Sequence, residues 1–417
     1  TELDGQFTAD VELTNKFDVS GGDGAGDELE IRTANFGSDI EDDFQSSGFE
    51  RIIVEATGGE AVDLTNASGV ETVGLTTSSN NTVTFEEAPD NVTVELQTDG
   101  RSGEDFEADV NVSDNDDDDD GDRGFANLSS VEVQVAGASA NSPAESATFE
   151  INNRGTDPGT ESADNGGSDG TNEITITTRA ITANDIKDVT VNAADADVHI
   201  SGGLATNAAE TITFTGDEDV LVDLTAEDDL TGGFGSTIGS SGDTTSINAS
   251  DVSGAFAASI VNGLENDATV SSGAGNDVID LGDQSSNSTN NPDLIVETGA
   301  GDDLVILHEL EDGDDDGENQ TTLQADFGDG DDTLVLSGEV DNGTADNGVT
   351  DDGQFAAAGT NLDHSLTFGD GDDTLDVTTS DTGTDDLFDL RDVDESSGLN
   401  NIELDSENDL ILDAGAT

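Results

Sequence analysis

Four short runs in the last third of the chain carry the residues best suited to chemistry: Gly273-Ala274-Gly275-Asn276-Asp277, Gly299-Ala300-Gly301-Asp302-Asp303, Gly328-Asp329-Gly330-Asp331-Asp332 and Gly369-Asp370-Gly371-Asp372-Asp373. Glycine at the first and third places lets the backbone take positive φ or come close to an ion. Aspartate at the fifth place brings hard oxygen of the kind calcium prefers, and the fourth place adds a second carboxylate or amide oxygen. The runs read as one cation-binding corner written four times. Two weaker copies lie upstream. Gly216-Asp217-Glu218-Asp219 can be laid on the last run with Asp219 at the ligand place, and Gly22-Asp23-Gly24-Ala25-Gly26-Asp27 carries one extra residue before the apolar alternation resumes. Each has an acidic turn as its plain alternative.

The elements that must hold these corners are strands. Two residues after each last aspartate stand Ile279, Val305, Leu334 and Leu375, and four after it Leu281, Leu307, Leu336 and Val377. Three before each first glycine come Val270, Val296, Ala325 and Leu366, and Phe327 and Phe368 share an offset that predicts them as neighbours. Spacing of two puts such side chains on one face of a strand, so stacking the copies builds apolar ladders with a glycine-aspartate corner between them. The aspartates recur at intervals of 26, 29 and 41 residues. One connection is constant and the other varies, as in a solenoid whose rungs contact only their neighbours. Residues 266–417 therefore read as a parallel β-roll.

These corners resemble the glycine-aspartate nonapeptide of the RTX proteins, G-G-x-G-x-D-x-apolar-x, which Ser272 to Asp280 fits with only the first glycine missing. The resemblance implies Ca2+ as cofactor, Asp277, Asp303, Asp332 and Asp373 as side-chain ligands, and turn carbonyls completing the shell. Typical members string the repeat in unbroken tandem and bind on both edges. Here only one edge carries it, so the two-sided roll and the ion count do not carry over.

Upstream, a different phrase recurs: Phe49/Ile52/Val54, Val70/Val73/Leu75, Leu128/Val131/Val133 and Ile186/Val189/Val191, then Leu399/Ile402/Leu404 near the end. It is a strand entered by a turn, without a fixed period, and predicts a β-solenoid, with a β-sandwich as the alternative. The expected organisation is all-β: a β-rich region 1–113, an acidic loop 114–122, a second β-rich region 123–265 and the roll 266–417. Alternation from Leu3 to Leu13 predicts a first strand, or one donated to a neighbouring subunit. The stretches Ser47 to Val73 and Ile247 to Gly273 are similar to bacterial surface-layer proteins with RTX repeats. That resemblance implies a calcium-dependent lattice protein on the cell exterior.

Composition narrows the function classes. Across 417 residues there are 98 acidic and nine basic side chains, a formal charge of −89, with no Cys, Met, Trp or Tyr. Such a surface repels itself at low ionic strength and needs screening salt or bound divalent cations, which points to a high-salt setting. Nucleic-acid binding is excluded because phosphate requires the opposite sign. Disulfide, metal-thiolate and thiol chemistry is excluded by the absence of cysteine. Weak repetitive calcium sites fill outside cells, so an extracellular, cell-surface location is expected. No transmembrane run or signal peptide is expected, and export then needs processing or another route.

Asp116-x-Asp118-x-Asp120-Gly121 and Asp312-x-Asp314-x-Asp316-Gly317 begin like EF-hand loops but lack the glutamate at position twelve. Sequons at Asn66, Asn91, Asn111, Asn127 and Asn248 allow glycosylation. His199, His308 and His364 are isolated and give no triad or metal setting, so no enzyme is expected. The reading is an extracellular structural protein that folds and self-assembles with calcium into a surface layer or filament, its partners being itself, calcium ions and a cell-surface glycan anchor. An adhesin or carbohydrate-binding protein is the alternative, and a carboxylate-dependent polysaccharide hydrolase or lyase ranks third.

Overall fold

The structure is a computed structural model that describes residues 7–10, 17–20, 28–32, 44–55, 61–75, 82–97, 125–128, 130–139, 142–152, 175–178, 180–193, 197–206, 208–222, 244–260, 264–281, 293–307, 322–337, 354–356, 365–369, 371, 373–378, 387–389, 399–404 and 409–411. The chain is all-β, as its glycine-punctuated alternation requires. Among the described residues no helix is long and apolar enough to cross a membrane. The acidic loop 114–122, Asp27, Asp372, the EF-hand-like runs and the ends of the Leu3 to Leu13 alternation lie outside the described residues. The chain forms two compact units, Thr1–Thr206 and Asn207–Thr417.

In the first unit the longest run of neighbouring strands is Phe7–Asp10, Glu28–Arg32, Arg51–Glu55, Thr72–Leu75, Val92–Gln97, Ala144–Asn152 and Ile186–Ala193, paired in chain order. Their pairing is parallel. The alternation places Leu29, Ile52, Val73, Val94, Phe149 and Val191 in one register line, each with no exposed surface. This line is the apolar ladder expected of stacked rungs, in which each side chain buries itself against its neighbours. Further parallel sheets join Phe17–Ser20 with Phe44–Ser47 and Ala67–Ser68, Thr82–Ala88 with Ala61–Asp63 and Ser130–Val135, and Thr175–Thr178 with Phe125–Leu128 and Asp197–Ile200. The recurring apolar phrase therefore serves more than one sheet. Its copies at Ile52, Val73 and Val189 share the long sheet, whereas Val131 and Val133 lie in the sheet with Thr82–Ala88. The antiparallel sandwich is not the arrangement these pairings make.

One ion-pair clasp ties rungs of this unit together. Arg51 bonds Glu95 through Nε at 3.0 Å and pairs with a second Glu95 oxygen and with Glu28. Glu95 is two strands away from Arg51, across the strand that carries Gly74. A Cβ at Gly74 would lie 3.4 Å from Glu95 Cβ and overlap Ile53 Cδ1, so glycine leaves the room in which the clasp and Ile53 lie.

The second unit repeats a simpler rung. One parallel run is Thr211–Gly216, Thr244–Val252, Leu264–Ser271, Asp293–Glu297, Thr322–Asp326 and Ser365–Thr367. Another is Val220–Val222, Phe256–Ser259, Val278–Asp280, Leu304–Leu307, Thr333–Ser337, Asp373–Thr378 and Leu399–Leu404. A third joins Gln354–Ala356, Leu387–Asp389 and Asp409–Ile411. Val270, Val296, Ala325 and Leu366 stand in one buried line, extended upstream by Ile212 and Ile247. Ile279, Val305, Leu334 and Leu375 make the matching line on the other run. Phe327 and Phe368 stack with ring centroids 4.8 Å apart and planes at 9°, as their shared offset predicts. Each corner is the short connection from a strand of the first run to a strand of the second, so the two ladders fix where the glycines and aspartates fall.

Candidate functional site

The four corners stack. Their fifth-place aspartates occupy one register line on successive rungs, and Asp277, Asp303, Asp332 and Asp373 are each at most 2 % exposed. A carboxylate so buried needs partners, and the neighbouring rung provides one. The Asp277 N–H donates to Asp303 Oδ1 at 2.8 Å, the Asp303 N–H to Asp332 Oδ1 at 2.9 Å, and the Asp332 N–H to Asp373 Oδ1 at 2.9 Å. Asp277 Oδ1 in turn accepts from the Phe256 N–H at 2.7 Å. Each aspartate thus caps the backbone of the rung before it.

The fourth-place residues form a second line with the opposite sense. Asn276 Oδ1 accepts from the Asp302 N–H, and Asp302 Oδ1 from the Asp331 N–H, both at 3.0 Å. These side chains are exposed. The Asp277 and Asp303 corners are consequently tied forwards by an outer side chain and backwards by an inner one, and the ladder satisfies backbone donors that strand pairing leaves over.

Glycine at the first and third places has a steric cause. A Cβ at Gly299 would overlap the Gly273 carbonyl oxygen, and one at Gly328 the Gly299 oxygen. The same approach recurs at Gly301, Gly330, Gly369 and Gly371. Gly299 and Gly328 also take φ of +94° and +81°, which side chains rarely adopt. The glycines let carbonyls crowd against the next corner beside the buried aspartates.

The electrostatics of this line are unbalanced. Asp303 Oδ2 and Asp332 Oδ2 are buried and make no hydrogen bond. The Thr298 hydroxyl is near Asp303 but donates to the Phe327 carbonyl at 2.9 Å. Burial pushes the Asp303 carboxyl up to about 7 and Asp332 up to about 6, and the neighbouring aspartates add a smaller push in the same direction. Burial raises Asp277 as well, against the pull of the Ser272 hydroxyl and the Phe256 and Gly273 N–H groups. Buried carboxylates with an unanswered oxygen, beside glycine carbonyls, are a donor set suited to a hard cation such as calcium. Among the described residues no three carboxylate or histidine side chains converge as a metal-binding group, so backbone carbonyls would have to complete any shell.

Two features depart from the sequence alignment. Asp219 is level with Ala255 and Asn276, in the outer line, and is exposed. Val220 and Phe256 hold the inner positions on these upstream rungs. From the apolar line to the inner line the rungs run eight residues from Ile212 to Val220, nine from Ile247 to Phe256 and seven from Val270 to Asp277, so Asp219 falls one residue short of the inner line. Asp219 Oδ1 accepts the Ala255 N–H at 2.7 Å, a contact in the outer sense. Ser253-Gly254-Ala255 is a further corner that the glycine-aspartate pattern passes over, because Phe256 stands where the later rungs have aspartate. The available signal was Gly254, two residues before Phe256, as Gly275 is two before Asp277. Downstream, Leu399 pairs at the level of Asp373, so the inner aspartates are a run of four bounded by Phe256 and Leu399. Comparison with protein-family models, curated proteins and solved structures finds no significant match.

Proposed function

We propose that the second unit folds around calcium and that the protein is an extracellular structural protein, assembling with calcium into a surface layer or filament in a high-salt setting. The observation that carries this reading is the line of fully buried aspartates in which Asp303 and Asp332 keep an oxygen with no hydrogen-bond partner. Burying such groups without a partner is costly, and a bound cation removes the cost. Asp303 and Asp332 would hold the ion through Oδ2, with carbonyls of the glycine corners completing its oxygen shell. Calcium would neutralise the corners, and folding free energy would then include binding free energy.

The formal charge of −89 supports the same setting. A chain this acidic is held apart by its own charge unless salt screens it or divalent ions bind it. Fully buried aspartates that cap neighbouring rungs suit fasteners better than sensors, since they are part of the packing that holds the rungs. Electron microscopy of the purified full chain, first with calcium and then with chelator, tests the assembly. Ordered sheets or filaments with calcium that disperse in chelator are expected. Monomers under both conditions, or identical assemblies under both, contradict it.

A further inference from the structure

The four inner aspartates share a sequence pattern but not a hydrogen-bond pattern. Asp277 has both oxygens answered: Oδ1 by the Phe256 N–H at 2.7 Å and Oδ2 by the N–H of Gly273, in its own corner, at 3.2 Å. Asp303 and Asp332 answer only Oδ1. The backbone of the second and third corners also differs from that of the first. Gly299 and Gly301 lie at φ +94° and +129°, Gly328 and Gly330 at +81° and +155°, whereas Gly273 and Gly275, and Gly369 in the fourth corner, are outside that left-handed region. The first corner also has Asn276 where the next two have Asp302 and Asp331, so it carries one carboxylate against two in the second corner and three in the third.

We infer that Asp303 and Asp332 hold cations while Asp277 takes none and instead ends the ladder as a backbone cap. This inference rests on the calcium reading above and divides the repeat that the sequence treats as uniform. A carboxylate whose two oxygens already accept N–H donors is charge-compensated by fixed dipoles and gains less from an ion than one with an open, buried oxygen. Asp277 stands where aspartates give way to apolar side chains, and its Oδ1 closes Phe256, whose ring packs on Phe214 at 5.0 Å. It joins the cation-dependent rungs to rungs whose inner place is filled by the apolar Phe256 and Val220.

The test counts calcium bound to the full chain by equilibrium dialysis, for the unaltered protein and for Asp277→Asn, Asp303→Asn and Asp332→Asn, with melting followed in calcium and in chelator. Asp303→Asn and Asp332→Asn are expected to lower the bound count and to lose part of the calcium-dependent rise in Tm. Asp277→Asn is expected to keep the count and to lower Tm equally in both conditions, because its Oδ1 still accepts the Phe256 N–H but an amide nitrogen replaces the oxygen to which the Gly273 N–H donates. Loss of an ion from Asp277→Asn comparable to that from Asp303→Asn overturns the inference and leaves the calcium reading intact. Absence of bound calcium in the unaltered chain overturns both. Should a variant fail to fold, anomalous scattering from crystals of the unaltered chain grown with calcium gives the same answer: ions at Oδ2 of Asp303 and Asp332 support the inference, and an ion at Oδ2 of Asp277 overturns it.

Discussion

At the scale of the residue, one oxygen decides the behaviour of the ladder. With Asp303 raised to about 7 and Asp332 to about 6, the folded chain holds more protons than the unfolded chain between about pH 4 and pH 7. Stability without divalent cations therefore falls as pH rises through that window. In chelator the chain is expected to melt higher at about pH 5 than at about pH 8, and Asp303→Asn should flatten the slope, as thermal scans in matched buffers will read. With calcium the trend reverses, because protons compete with the ion for the same oxygens. The asparagine variant separates charge from shape. Its Oδ1 can still accept the Asp277 N–H, so in chelator it should melt no lower than the unaltered chain. The recurrence of aspartate at one place on successive rungs was legible in the sequence. Its use as a cap on the preceding rung was not, since that partner lies 26 to 41 residues away and is set by stacking.

At the scale of the element, close approach between rungs sets what each strand and corner tolerates. Gly328→Ala places a methyl group on the Gly299 carbonyl at φ +81°, and a loss of about 2 kcal/mol or more in denaturant unfolding is expected. Gly137 offers the control. It shares a positive φ of +73° but has nothing within 4 Å of its would-be Cβ, so alanine there should cost only the backbone strain of about 1–2 kcal/mol. In the first unit, Arg51→Gln should cost about 1–3 kcal/mol by leaving Glu95 and Glu28 without their cation. Denaturation at high salt should shrink that cost only in part, because the pair is largely buried. The apolar lines through Val270, Val296, Ala325 and Leu366 were legible because a period of two is a direct property of a strand. Asp219 falls outside the inner line because its rung runs one residue longer from Ile212 to Val220 than the rung from Val270 to Asp277, a difference that only the strand pairing reveals. The Gly254 corner was passed over because its aspartate place is taken by Phe256.

At the scale of the whole molecule, the proposed calcium binding and the chain's charge would act on the same balance. With −89 formal charges, the chain in chelator should gain stability steadily as sodium chloride is raised, since screening weakens repulsion among exposed carboxylates. Calcium should act at far lower concentration and saturate, because it fills defined oxygens in place of screening a cloud. All-β character and parallel rungs could be read from alternation and repeated corners. Division at Thr206 and Asn207 could not, because the strands on either side use the same apolar alphabet. The most direct measurement of the central claim is a calcium titration of the full chain followed by thermal melting, with circular dichroism, and then reversed with chelator. Each occupied site should add about 2.7 kcal/mol at a hundredfold excess over its Kd, so Tm should climb with calcium and return on chelation. A Tm and spectrum that stay the same across the whole titration would contradict calcium-coupled folding.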